Sequence, residues 1–214
     1  MGNRKIPNPP EPVSRLFGFD RGLPVDRYYI ESFLERHAAD IRGRVMEIGD
    51  DKYSRRFGGS RISEITVLRV YGDSSGNLLV GNLETGENLP TDYFDCVVLT
   101  QTLNVIFNVF GAVKHLHLCL KPGGVLLATV PGISQISRYD ADRWGDYWRF
   151  TTQSVQRVFS SFFDQKALSV TAFGNVRTAT SFLEGYATEE LERTLLEAHD
   201  PDYELIIAIR AEKR

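Results

Sequence analysis

Two continuously apolar runs constrain this chain more than any other feature: Val97-Val-Leu-Thr100, at the end of Phe94-Asp-Cys-Val-Val-Leu-Thr100, and Val125-Leu-Leu-Ala-Thr-Val130. A strand with one wet face alternates apolar and polar residues, whereas a strand buried on both faces does not. The two runs therefore belong inside a parallel sheet covered by helices on each side. Between them lies a helical stretch at about 104–119, closed by Lys121-Pro122-Gly123-Gly124. Pro cannot continue the helix and Gly accepts positive φ, so the chain turns there into the second buried strand. Further strand candidates are 44–48, 62–68, 78–83, 167–173 and 203–210, with helices at about 151–162 and 176–198. Strands alternating with helices give an α/β layer architecture.

The 214 residues suit one domain, which at this length buries roughly 70% of the surface its unfolded chain exposes. Residues 1–15 carry Pro7, Pro9, Pro10 and Pro12 and read as a flexible lead to a single domain over 16–214. Within Pro24–His37 the apolar residues Tyr29, Ile30, Phe33 and Leu34 recur at helical spacing, giving an N-terminal cap helix within 16–42. The helical segment 175–200 interrupts the last two strands and reads as a lid or an interface element, which leaves a homodimer open. A net charge of -3 argues against a nucleic-acid partner, which needs clustered Lys and Arg to displace counterions. No stretch of 18 apolar residues and no apolar leader occurs, and Ile6 breaks a myristoylation pattern. The expectation is a cytoplasmic protein, off the membrane, handling a small molecule. Cys96 and Cys119 sit in apolar runs and read as buried thiols.

In an open α/β sheet, ligands bind outside the carboxyl ends of the strands. After the first strand, Glu47-Ile-Gly49-Asp50-Asp51 supplies a tight turn where Gly49 admits a close ligand and Glu47 places a carboxylate suited to a ligand ammonium. Thr100, Gln101 and Thr102 fall at another strand's carboxyl end, where they line the same cleft. The segment from Phe94 to Leu103, then a helix, then Leu120-Lys-Pro-Gly-Gly through Pro131 resembles the fourth and fifth strand region of class I S-adenosylmethionine-dependent methyltransferases. The resemblance spans about Phe17 to Ala211. It is closest to small methyltransferase-domain proteins that carry RGxPxDRYYI and WGDYWRFT, here Arg21–Ile30 and Trp144–Thr151.

That resemblance implies a Rossmann-like open sheet of seven strands, mostly parallel with the last antiparallel, and S-adenosylmethionine as cofactor. It implies cofactor contacts from Arg27, Tyr28, Glu47, Gly49, Asp50, Thr66, Val67, Asn82, Leu83, Thr100, Gln101 and Thr102. Three departures stand out. Only the first glycine of the usual loop survives, before Asp50, Asp51 and Tyr53. Thr66 stands where an acidic residue usually holds the ribose, and a neutral partner there gives up roughly 1 to 2 kcal/mol. Asn82-Leu83 stands where Asp-Leu is common. Weaker cofactor binding follows, as does an alternative in which the fold no longer methylates.

Methyl transfer needs an aligned acceptor, and a base only when that acceptor is protonated. The loop Ser137–Phe150 follows the fifth strand, so Trp144, Tyr147 and Trp148 offer apolar walls and Arg149 a bidentate partner for an acidic substrate. Arg149 pairing with a structural carboxylate is the competing reading. Tyr139, Asp140 and Asp146 are the bases this loop provides, with Tyr139, Asp146 and Arg149 as catalytic candidates. Thr151 reads as a helix N-cap. His115 and His117 lie two apart on one helix and share no face, which speaks against a metal, while His37 and His199 read as helix-end residues. The expected reaction is methylation of an oxygen, a carboxylate or a hydroxyl, on a specialised metabolite or saccharide. A nicotinamide oxidoreductase is disfavoured, since no GxGxxG follows the first strand.

Overall fold

The computed structural model describes residues 11–214. The strands are β1 (Gly43–Ile48), β2 (Ile62–Arg69), β3 (Leu78–Val80), β4 (Phe94–Thr100), β5 (Leu120–Pro131), β6 (Leu168–Phe173) and β7 (Ile206–Glu212). The helices are α1 (Val25–Arg36), α2 (Val109–Cys119), α3 (Arg138–Ala141), α4 (Thr152–Phe159), α5 (Val176–Glu184) and α6 (Arg193–Glu197). All seven strands join one sheet in the order β3-β2-β1-β4-β5-β7-β6. β7 runs antiparallel to both its neighbours and the remaining strands share one direction. The buried runs lie inside this sheet, and its seven strands with β7 antiparallel are what the resemblance to class I methyltransferases implies.

Alternation along the central strands explains why those runs are apolar throughout. Val97 and Leu99 of β4 point into the layer under α2 and α4, with Met46, Leu126, Ala112, Leu116 and Phe159. Cys96 and Val98, one residue out of phase, enter the opposite layer with Ile30, Phe33 and Leu34 of α1 and Phe182 of α5. Both faces are dry, so Cys96–Leu99 and Val125–Ala128 are apolar at consecutive positions. Burial pushes the Cys119 thiol up to about 11 and the Cys96 thiol higher still, so both stay protonated. Among the described residues no helix is long and apolar enough to cross a membrane.

Several elements end where local chemistry, not hydrophobic period, stops them. The helical stretch after β4 begins only at Val109, because the Asn108 side chain accepts from Gly111 N at 2.9 Å and caps it there. The strand expected over 78–83 stops at Val80, where Asn82 Oδ1 accepts the N–H groups of Glu84 (2.8 Å) and Thr85 (3.4 Å) and bends the chain. The expected helix over 176–198 is broken. Gly185 ends α5 in the left-handed conformation (φ +81), a short turn follows at Thr188–Glu190, and α6 resumes at Arg193. The final strand begins at Ile206 instead of Tyr203. Of the Pro-rich lead, residues 1–10 lie outside the described residues. Val13 and Ser14 N donate to Glu184 O at 2.8 and 3.2 Å, at the end of α5.

Candidate functional site

The strand order reverses between β1 and β4, and the turns that leave their carboxyl ends open a cleft there. Gly49 follows β1 at φ +85, and its N–H donates to Leu68 O at 3.0 Å. A Cβ at Gly49 would meet nothing within 4 Å, so the position faces open space that a side chain would otherwise occupy. Glu47 does not face that space as a free carboxylate. It is buried, and its two oxygens accept Tyr53 N at 3.2 Å and Ser54 N at 2.7 Å. Burial pushes its carboxyl up, and those N–H groups pull it back. The expected ammonium partner is thus a clasp that closes the helical turn after β1. Asp50 Oδ1 accepts Lys52 N at 3.1 Å and helps shape the same turn.

The far corner of the cleft differs from the sequence reading. Thr66 pairs in register with Met46 and Val67 with Glu47, well inside β2. β2 runs on to Arg69, so the residue level with the Gly49 turn is Arg69, whose Nε donates to Gly49 O at 3.0 Å. Thr66 instead borders a separate recess with Leu78, Leu79 and Tyr93, and Val67 is buried. A guanidinium, not a threonine, occupies the corner where the resemblance places a carboxylate. Asn82 spends its Oδ1 on its own turn and Leu83 is buried in the core. Thr102 Oγ1 donates to Thr100 O at 3.0 Å, tying that pair together. Gln101 carries φ +47, rare for a residue with a Cβ, and is held there by Thr129: Gln101 N to Thr129 O at 2.9 Å and Nε2 to Oγ1 at 3.2 Å.

Gln101 also lines a cavity of about 470 Å³ over β4 and β5. Its floor and walls include Pro131 and Ile206 from the sheet, Phe17 and Phe19 from the segment before α1, Phe182 from α5, and Asp26 and Arg27 from α1. Phe17 and Phe182 pack with ring centroids 5.8 Å apart, and Arg27 lies over Phe19 at 5.8 Å. Arg27 Nε stands 3.9 Å from Asp26 Oδ2. Two buried acceptor atoms of the lining, Asp26 Oδ1 and Asn104 Oδ1, have no hydrogen-bond partner among the described residues. Tyr28, which the resemblance gives to the cofactor, packs edge-on against Tyr29 at 5.4 Å and joins the core layer of α1.

The loop from 134 to 149 forms the remaining wall; its Arg149 and Asp146 are spent on holding it, while Arg138 and Asp140 line the cavity. Arg149 meets Asp146 with both terminal nitrogens, Nη1 to Oδ1 at 2.6 Å and Nη2 to Oδ2 at 2.9 Å. It also donates to the carbonyls of Ser134 (3.3 Å), Gln135 (2.5 Å) and Trp148 (2.9 Å). Burial would raise the Asp146 carboxyl, but the Arg149 fork and the Ser137 N–H hold it below the usual range. The fork expected to grip an acidic substrate is therefore closed on a structural carboxylate, and Asp146 is no free base. Tyr139 lines the cavity but is 62% exposed, set edge-on against Trp144 at 5.8 Å. Tyr147 and Trp148 pack on Phe107 at 5.4 and 5.9 Å, outside the lining. The aromatic walls come from Phe17, Phe19 and Phe182, which sequence reasoning did not single out. Asp26 was legible within Arg21–Ile30, but an acid in a helix's first turn reads as an ordinary partner of the helix dipole.

Residues 25–172 match the family model of a methyltransferase domain. No curated protein sequence matches the chain. A S-adenosylmethionine-dependent methyltransferase from Archaeoglobus fulgidus shares the fold with a TM-score of 0.56 at 15% identity, over 87% of this chain and 94% of that one. The N-methyltransferase NodS from Bradyrhizobium japonicum, solved with S-adenosylhomocysteine, gives 0.54 at 15% identity over 90% and 89%. The [4+2]-cyclase SpnF gives 0.57 at 16% identity over 90% and 84%.

Proposed function

The chain belongs to the methyltransferase-domain family, and on that premise we propose that it transfers a methyl group from S-adenosylmethionine to an oxygen of a small molecule such as a saccharide or specialised metabolite. When bound, the cofactor supplies an electrophilic methyl on sulfur. The observation that carries this reading is the position of Gln101. It directly follows β4, which lies beside β1 and its open Gly49 turn, and it also lines the cavity over β5. A donor seated on the Gly49 side thus meets an acceptor seated on the other across one strained residue. The empty direction above Gly49 fits a bound ligand. Gly49 and the Thr100–Thr102 turn would hold the cofactor's methionine end, and Phe17, Phe19 and Phe182 would exclude water from the acceptor. Such positioning supplies several kcal/mol of the barrier reduction.

Calorimetry with S-adenosylhomocysteine tests the assignment. Binding at micromolar to sub-millimolar concentration is expected, and no heat at millimolar ligand would sink it. A second reading, a methyltransferase-fold protein that does not methylate, draws support from Arg69 at the ribose corner, because a guanidinium there cannot accept the ribose hydroxyls. Adenosyl ligand that binds but is never consumed with any acceptor would favour that second reading.

A further inference from the structure

The cavity contains two buried oxygens that lack donors, one on α1 and one after β4. Asp26 is 7% exposed and Asn104 6%, and in each the Oδ1 atom has no partner among the described residues. Both residues line the same cavity. A substrate carboxylate brings only lone pairs and would oppose these oxygens, whereas a hydroxyl or an amine brings N–H or O–H groups that satisfy them. Of the guanidiniums that line the cavity, Arg149 is already forked onto Asp146 and Arg27 stands beside Asp26, which leaves Arg15 and Arg138 at the wall as the cations a carboxylate would have to reach. We infer that the reacting oxygen of the acceptor carries a proton, as a hydroxyl, and that Asp26 removes it. This rests on the methyl-transfer reading. In the step, a lone pair of the acceptor oxygen forms the bond to the methyl carbon while the carbon–sulfur bond breaks and sulfur keeps that pair. The acceptor's proton passes to the Asp26 carboxylate, and later to solvent.

The competing role for Asp26 is structural, as an acid favouring the positive end of α1. The two roles differ in sign. Asp26 lies beside Arg27 on its own helix and Tyr53 after β1, and shares the cavity with Arg15, Arg138, Tyr139, Asp140 and the Asp146–Arg149 pair. Burial pushes its carboxyl up, with Arg27 pulling down more weakly. A raised carboxyl favours folding only while protonated, so its ionised form opposes folding once pH climbs past the ordinary value near 3.9. Asp26→Asn should therefore match wild type near pH 4 and gain on it towards pH 8, with Tm higher by about 2–4 °C. A helix-end acid predicts the reverse, a variant less stable at neutral pH.

The decisive experiment combines that melting series with binding. Amide spectra of the full chain, saturated with S-adenosylhomocysteine, are titrated with ethanolamine, ethylene glycol or acetate. Shifts around Asp26 and Asn104 are expected from ethylene glycol, exceeding those from acetate, and absent in Asp26→Asn. Ethanolamine, an ammonium near pH 7, shows what charge pairing with Asp26 does by itself. The inference is overturned by equal or larger shifts from acetate, by no shift from ethylene glycol, by shifts from ethanolamine alone, or by an Asp26→Asn variant less stable at pH 7. Calorimetry of S-adenosylhomocysteine on wild type and variant separates the two proposals. Equal affinities are expected, and no binding to wild type removes the methyl-transfer reading itself.

Discussion

Glu47 spends both carboxylate oxygens on backbone amides, Tyr53 N and Ser54 N, and so fixes the turn that the rest of the site leans on. Glu47→Gln keeps the shape but sets an amide NH₂ against one of those N–H groups. A loss of about 1–3 kcal/mol is expected, read as a lower urea midpoint at unchanged slope. Arg69 makes the complementary prediction for binding. Arg69→Asp restores an acceptor at the corner of the cleft, and charge-assisted bonds to two hydroxyls should tighten S-adenosylhomocysteine by about tenfold in calorimetry, roughly 1.4 kcal/mol. Unchanged affinity would show that the ribose does not reach this corner. The sequence made Glu47 and Gly49 visible, because a strand followed by Glu-Ile-Gly marks a turn by itself. It misassigned the corner to Thr66 because the end of β2 is set by its register with β1, a tertiary fact that residues 62–69 alone do not carry.

Among the elements, the central strands were the most legible, since burial on both faces makes the middle of β4 and β5 apolar over Cys96–Leu99 and Val125–Ala128. Phe94–Thr100 lies where the apolar run places it. The insertion between β6 and β7 was legible as helical but not as three pieces. Its period is helical throughout, while its breaks depend on Gly185 and on what that turn packs against. Asn175 shows how those pieces are joined. Its Oδ1 caps α5 by accepting Arg177 N (2.9 Å) and Thr178 N (3.1 Å), and its Nδ2 donates to Leu195 O and Ala198 O, both at 2.8 Å, at the end of α6. Asn175→Ala removes the cap and leaves two carbonyls without their donor. A cost of about 2–4 kcal/mol and a Tm lower by roughly 5–12 °C are expected in a thermal melt. A change of under 1 °C would mean that water replaces the amide fully.

At the scale of the whole molecule, the cavity over β4 and β5 lies beside a joint between segments from opposite ends of the described chain, and Phe17 and Phe182 from those segments line it. Leu23 N donates to the Glu189 carboxylate at 3.0 Å, Thr188 N to Leu23 O at 2.7 Å, and Arg21 pairs with Glu190. Phe17 packs on Phe182 beneath this clasp. The exposed ion pair contributes little by itself, so the backbone bonds and the aromatic contact carry the joint. Glu189→Ala should speed hydrogen exchange at residues 14–23 and 184–191 together, leaving the sheet amides unchanged. Exchange that rises on one side alone would show two independent loops. The sequence separated these segments by their distance along the chain, and nothing in either marks the other as its partner. The clasp also orders events during synthesis. β1, β2 and β4 leave the ribosome well before residues 184–190 exist, so the half of the cleft around Gly49 has its strands first. The joint over the cavity closes only when the segment 184–190 emerges and meets residues made some 160 positions earlier, a closure whose entropy grows slowly with loop length. A nascent chain halted before residue 184 would therefore hold the strands around Gly49 but lack the clasp that ties down residues 21–24.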